Sequence, residues 1–267
     1  RISLRCKTSI KFFISGFFIK ISFFCSELAD FFHSLPVALL KPNELIELNN
    51  SHYSKPYVIE NWNQSKDAGL SPSEEQFIKN YGFKGSQVLV IGCGGGRESI
   101  VLASQGFQVK AIDSSLGMLD VAARNIQAAQ VKVSLVPLSL SEIDRVESFF
   151  DLVFLGINYG NIPTRKLRRA VLLKIRKILK PNGTVYLSFM ENKPSKYARL
   201  RVYFYKLIAY LVFGNRNLEA GDFILGTGEF HHYFDSIDTV IKEVELAGFL
   251  VDDLNKDENA LFLKARG

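Results

Sequence analysis

A short apolar run that ends in glycines constrains this chain more than any other feature. Gln87-Val88-Leu89-Val90-Ile91 passes directly into Gly92-Cys93-Gly94-Gly95-Gly96, and a helix-compatible stretch begins at Arg97. An apolar run of that length bounded by glycine reads as a strand buried on both faces. Glycines let a backbone pass close to a ligand, and the helix start beyond them offers unpaired N–H donors. A second strand, Phe107–Ile112, ends at Asp113, 21 residues after Gly92. An acid at that place can accept hydrogen bonds from both hydroxyls of a ribose. Ligands of open α/β sheets sit at the carboxyl ends of the strands, where the turn and the acid both fall.

The remaining pattern extends the alternation. Helices are expected at Arg97–Gln105, Leu116–Ala129 and Arg165–Leu179, and strands at Val131–Val136, Asp151–Leu155 and Thr184–Met190. Strand and helix alternating at this pace predict a parallel sheet with helices on both faces. Two late strands, Phe249–Asp253 and Ala260–Lys264, are separated only by residues 254–259 and should pair antiparallel. Ser236–Ala247 reads as a helix ended by Gly248. Before the first strand, Pro36, Pro42 and Pro56 divide the chain into short pieces, and Ser71-Pro72-Ser73-Glu74-Glu75 marks a capped helix start.

The glycine spacing decides between nucleotide ligands. A dinucleotide turn places its third glycine three residues after its second, and that position is Arg97. Glycines at 92, 94 and 96 instead resemble the turn of class I S-adenosylmethionine-dependent methyltransferases. The resemblance runs from about Tyr81 to the end, apart from an insertion. It includes Phe150-Asp151-Leu152-Val153 at the fourth strand and Leu179-Lys180-Pro181-Asn182-Gly183 before the fifth. It also includes His232-Tyr233-Phe234 followed by Glu245-Leu246-Ala247-Gly248-Phe249, as in small-molecule methyltransferases. The sequence departs from the family at Val90, where an acid is common, and at Leu138-Ser139, where an acid near the adenine is common.

The resemblance implies an α/β fold: a Rossmann-like doubly wound sheet, mostly parallel, closed by a C-terminal antiparallel hairpin. Residues 1–40 would form an amphipathic segment, 41–80 a helical extension, and 81–267 the methyltransferase domain with a helical lid inserted at 193–230. It implies S-adenosyl-L-methionine as cofactor and a methyltransferase activity. Gly92, Cys93, Gly94 and Gly96 would line its methionine part, with Arg97 near the carboxylate. Asp113 would hold the ribose. Ser114, Met118, Leu138 and Ser139 would flank the adenine, and Gly156 and Asn158 would lie near the sulfonium. His232 and Tyr159 are the candidate catalytic residues on the acceptor side, ahead of His231, Asp222 and Glu229. A base is needed only if the acceptor must lose a proton.

Partners follow from composition and charge. Residues 165–216 hold fourteen Lys/Arg and one acid, Glu191, in a chain of net charge +6. Such a stretch reads as a solvated helix face or as a surface that meets an anionic partner. Gly156-Ile157-Asn158-Tyr159 lacks the paired prolines of enzymes that methylate base amino groups, so no nucleic-acid partner is expected. Cys6, Cys25 and Cys93 show neither a disulfide framework nor zinc spacing, so no metal and a reducing, cytoplasmic setting are expected. Ile10, Ile14, Phe17, Ile21, Phe24, Leu28, Phe31 and Leu35 fall on one helical face. That face suits a membrane surface, the protein's own core, or a segment outside the working protein. Val202–Phe213 carries one charge, Lys206, between flanking arginines. Apolar centre and basic flanks suggest a greasy small-molecule acceptor with an anionic group, or peripheral contact with a membrane. The competing reading is a non-catalytic membrane-associated scaffold or regulator that retains the fold.

Overall fold

The computed structural model describes residues 21, 22, 25, 31, 32, 34–64, 67–193 and 196–266. Most of the N-terminal amphipathic pattern, from Ile10 to Leu28, lies outside the described residues, Ile21 excepted. The helices α1 (Pro42–His52), α2 (Pro56–Gln64) and α3 (Pro72–Tyr81) precede the sheet. Each begins at a proline, whose missing N–H is no loss at a helix start. Ser71 caps α3 as its sequence predicts, accepting from the Glu74 amide while Glu74 Oε2 accepts from the Ser71 amide at 2.7 Å.

The sheet comprises β1 (Gln87–Ile91), β2 (Gln108–Asp113), β3 (Val133–Pro137), β4 (Phe150–Gly156), β5 (Leu179–Ser188), β8 (Phe249–Asn255) and β9 (Ala260–Ala265). Their order is β3-β2-β1-β4-β5-β9-β8. The first five are parallel, and β9 runs antiparallel between β5 and β8. The connecting helices are α4 (Arg97–Ser104), α5 (Leu116–Ala128), α6 (Arg165–Ile178), α7 (Lys196–Leu211) and α8 (Ile237–Leu246). This is the mostly parallel α/β sheet with a closing hairpin that the sequence predicts.

Alternation along each strand builds two cores. Val88, Val90, Leu152 and Phe154 face Phe77 of α3, Leu102 of α4 and Leu119 of α5. Leu89, Ile91, Val153 and Leu155 face Val171, Leu172 and Ile175 of α6 and Val240 and Val244 of α8. A third cluster lies apart, where Tyr205 and Ala209 of α7 meet Val37, Ala38, Leu45, Leu218 and Phe230.

The structure departs from the sequence-based elements in two places. The strand β5 starts at Leu179, because Leu179 already pairs with Phe150 ahead of the Pro181–Gly183 turn. Residues 215–230, part of the stretch expected as a helical lid, contain β6 (Asp222–Ile224) and begin β7 (Phe230–His232), an antiparallel pair of three residues each. Strands so short carry no readable alternation.

Candidate functional site

The carboxyl ends of β1, β2 and β4 open into a cavity of about 420 Å³. Its floor is the glycine turn. The Gly92 and Cys93 amides both donate to the Ile112 carbonyl, at 2.8 and 3.1 Å, which ties the turn to the end of β2. Asp113 then faces the turn. Its Oδ2 accepts from the Gly94 amide at 2.9 Å and its Oδ1 from the Ser115 amide at 2.9 Å. Each oxygen keeps acceptor capacity for a ligand. Burial raises the Asp113 pKa, and those backbone hydrogen bonds pull it back down.

Two glycines leave room at the floor. Gly94 has φ +51° and Gly156 φ +54°, and a β-carbon on either would meet no protein atom within 4 Å. Asn158 Nδ2 donates to the carbonyls of Ile91 at 3.0 Å and Leu155 at 3.3 Å, which joins the ends of β1 and β4. Gly92, Cys93, Gly94, Asp113, Ser114, Met118, Leu138, Ser139, Gly156 and Asn158 all line the cavity. Gly96 does not. It starts α4 and packs toward Ala122 and Ile100.

Arg97 is on the cavity wall but is engaged. Its guanidinium donates to both Glu74 oxygens at 2.9 Å and to Glu98 Oε1 at 2.5 Å. A ligand carboxylate would compete there with two acids. Burial pushes the Glu98 carboxyl up, while Arg97 pulls it down.

The catalytic candidates are placed elsewhere. Tyr159 is fully buried, its hydroxyl donates to Glu243 Oε2 at 2.7 Å, and its ring stacks on Phe234. Glu243 is held in turn by Arg168, itself fully buried, through contacts of 2.9 and 2.8 Å. Those hydrogen bonds keep the Glu243 pKa low against the opposing effect of burial. His232 Nδ1 donates to Asp222 Oδ1 at 2.6 Å, and its ring edge meets Phe234. Neither Tyr159 nor His232 lines the cavity. Both belong to the packing between β7 and the sheet, which corrects their expected place on the acceptor side.

The roof also differs from expectation. None of the described residues of 193–230 lines the cavity. The roof is built by α1 and α2, with Ile46, Asn49, Asn50, Tyr53 and Trp62. The insertion supports that roof from behind. Asn49 Nδ2 donates to the Phe230 carbonyl at 3.0 Å, and Asn49 Oδ1 accepts from the Phe230 amide at 2.7 Å. The Tyr53 hydroxyl donates to Glu229 Oε1 at 2.5 Å and accepts from Asn161 Nδ2 at 2.9 Å. His231 Nδ1 donates to Asn161 Oδ1 at 2.7 Å. Burial, then Glu229, raise the Tyr53 pKa, and burial, then His232, lower His231 to about 4. On the other side Ser114 and Ser115 reach up to Asn50 Oδ1 and the Tyr53 carbonyl, each at 3.0 Å.

Beyond Gly156 the wall turns apolar with Ile157, Ile162, Pro163 and Leu167, and α6 adds Ala170, Val171 and Lys174. Lys174 is paired with Asp144 at 2.7 Å and bonded to the Ser141 carbonyl. Part of the basic stretch is thus paired along α6, where Arg165 and Arg168 meet Glu219 and Glu243. Sequence reasoning missed the contributions of α1, α2 and α6. Residues 41–64 carry no motif, and in α6 the second apolar face is hidden among the bases. Among the described residues no three His, Cys, Asp or Glu side chains are grouped to hold a metal ion.

The strand order, the antiparallel hairpin and the glycine–acid cradle define a class I methyltransferase fold. Residues 88–183 match the methyltransferase domain family. Over 167 residues the chain is 31% identical to a ubiquinone biosynthesis O-methyltransferase of Xanthomonas campestris pv. campestris (strain B100), covering 62% of this chain and 61% of that one. It is 26% identical to the protein of that name from Rickettsia akari (strain Hartford) over 114 residues, covering 42% and 43%. The chain thus spans less than two thirds of the length of these relatives. A solved S-adenosylmethionine-dependent methyltransferase from Methanosarcina mazei has the same fold, with a TM-score of 0.57 and 22% identity over 74% of this chain and 99% of that one.

Proposed function

We propose that the protein is an S-adenosylmethionine-dependent methyltransferase acting on a small, lipophilic acceptor. One observation carries the reading. Asp113 and the open glycines 94 and 156 lie on one cavity floor at the strand ends, with space where side chains would otherwise stand. These residues fit the cofactor. Asp113 would hold the ribose hydroxyls with its spare acceptor capacity. Gly92, Cys93 and Gly94 would let the methionine part lie against backbone. Met118, Leu138 and Ser139 would flank the adenine, and Asn158 and Gly156 would lie near the sulfonium.

The cofactor supplies an activated methyl group. The chain then contributes alignment and exclusion of water. The roof of α1 and α2 would exclude water, and the ties from Asn49, Tyr53 and Ser115 would hold it in place. No step requires Tyr159 or His232 at the reacting atoms. Ile157, Ile162, Pro163 and Leu167 favour an apolar acceptor body. Glu74 on the cavity wall is already paired with Arg97. The relatives named for ubiquinone biosynthesis agree with a lipophilic acceptor. Among the described residues no helix is long and apolar enough to cross a membrane.

Transfer of a labelled methyl group from S-adenosylmethionine to phenolic lipids, followed into an organic phase, tests the reading. Label in the organic phase that depends on Asp113 supports it. Tight cofactor binding with no transfer to any acceptor would favour the scaffold.

A further inference from the structure

The helix α7 is apolar on two sides. Val202, Tyr205, Ile208 and Ala209 pack inward against the third cluster. Leu200, Tyr203, Phe204, Leu207, Tyr210 and Leu211 recur at i, i+3, i+4, i+7, i+10 and i+11 on the other side, and all are between 50% and 76% exposed. Val212 and Phe213 continue the patch past the helix end. The Phe31 ring, 6.3 Å from that of Phe204, extends it to exposed Phe32 and Leu39. A patch of this kind on a water-soluble surface marks a place of contact.

Charge identifies the occupant. Between Glu191 and Glu219 the sequence has six bases and no acid. Arg199 and Lys206 stand on the exposed part of α7, and the Arg216 guanidinium lies over the Tyr210 ring at 4.6 Å. A second copy meeting this face by a two-fold axis would set these bases against themselves. Phe, Leu and Tyr with Lys and Arg, and no acid, is instead the composition of a helix lying in the headgroup region of an anionic membrane. Lys206 in the middle of α7 fits such a helix lying flat, since its long stem can reach back toward the headgroups.

We propose that the outer face of α7, with Phe32 and Leu39, docks the protein on an anionic lipid bilayer. The docking does not depend on the methyl-transfer reading, but it would serve it. The inner face of α7 packs on Leu45 of α1, and Ile46 and Asn49 of that helix, with Tyr53 just past its end, line the cavity. A bilayer bound at α7 therefore lies one helix away from the roof through which a lipophilic acceptor would enter.

Co-sedimentation of the full chain with vesicles of phosphatidylcholine, alone or mixed with phosphatidylglycerol, tests the proposal. Two variants accompany it: Tyr203→Glu with Leu207→Glu, and the milder Arg199→Glu with Lys206→Glu. Thermal melts show that each variant is folded. The expected result is partition onto the mixed vesicles at least about tenfold above phosphatidylcholine alone, falling as salt rises. Both folded variants should lose about tenfold or more of it. The proposal is overturned if the wild-type chain ignores both vesicles, or if binding survives in both variants, as it would were another segment the anchor. A lipid-independent dimer abolished by both variants would also overturn it. Loss of cofactor binding alone would leave it standing and count against the methyltransferase reading instead.

Discussion

Replacing Gly94 by alanine separates the cost of a backbone conformation from the cost of filling a ligand's space. Gly94, Gly156 and Gly85 all have positive φ (+51°, +54° and +89°), and a β-carbon on any of them meets no protein atom within 4 Å. Only Gly94 and Gly156 line the cavity. An L residue forced into the left-handed region costs about 1–2 kcal/mol. In a chain of this size each kcal/mol lowers the melting temperature by about 2–4 °C. Gly85→Ala therefore measures the backbone cost alone. Gly94→Ala carries a backbone cost of the same order plus a methyl group that points into the cavity. Overpacking a methyl against a bound ligand costs about 1–3 kcal/mol, which is roughly 5- to 150-fold in affinity. Thermal unfolding and calorimetric titration with S-adenosylhomocysteine should be run on all three variants. Comparable loss of melting temperature is expected in Gly85→Ala and Gly94→Ala, and a larger one in Gly156→Ala, whose ψ of −155° lies outside the left-handed region, with weakened binding in Gly94→Ala and Gly156→Ala and wild-type binding in Gly85→Ala. Wild-type affinity in Gly94→Ala, alongside the expected fall in melting temperature, would refute the reasoning.

Tyr159→Phe removes a donor to the buried Glu243 carboxylate and should cost about 1.5–3 kcal/mol in urea unfolding, while S-adenosylhomocysteine affinity stays unchanged. Weakened cofactor binding at full stability would return Tyr159 to the site. Arg168→Met leaves Glu243 buried with only Arg165 and Tyr159 as partners, and should destabilise by about 3–5 kcal/mol; a change below 1 kcal/mol, by the same measurement, would show that the cluster is not the anchor of α8 (a threshold set at about the size of one ordinary hydrogen bond). His231 has its pKa lowered from 6.5 to about 4. The unfolded chain therefore binds a proton through that interval that the folded chain does not. Stability is complete above the unfolded value and falls as pH drops across the window, by about 3 kcal/mol in all. His231→Gln should flatten that dependence, and an unchanged slope in the variant would assign it to another group.

The parallel sheet was legible because its signals are local. An apolar run, a glycine turn and an acid at a strand end each occupy a few consecutive residues, and Gly92, Gly94 and Asp113 therefore lie where their order implies. The same holds for Ser71, whose cap is complete within four residues. The roof was not legible. Asn49 and Tyr53 are held at the cavity by residues 227–231, which grip α1 and its end from behind, and those contacts join positions about 175 apart in the chain. His232 and Tyr159 were misplaced for the same reason. A histidine and a tyrosine near strand ends have the chemistry of a site, but Asp222, across a strand pair too short to read, and Glu243, 84 residues away, draw both into the packing. Arg97 illustrates a third limit, since its position by the turn was readable and its capture by Glu74 of α3 was not.

The central claim is that Asp113 and the glycine turn form the cofactor cradle. Calorimetric titration of S-adenosylhomocysteine into the purified chain, with Asp113→Ala in parallel and NAD as a control, tests it most directly. Saturable binding by the wild-type chain is predicted, with no response to NAD. Loss of two hydrogen bonds to a charged group should weaken binding by Asp113→Ala about 100- to 10,000-fold. Absence of binding by the wild-type chain, or undiminished affinity in Asp113→Ala, would contradict the account.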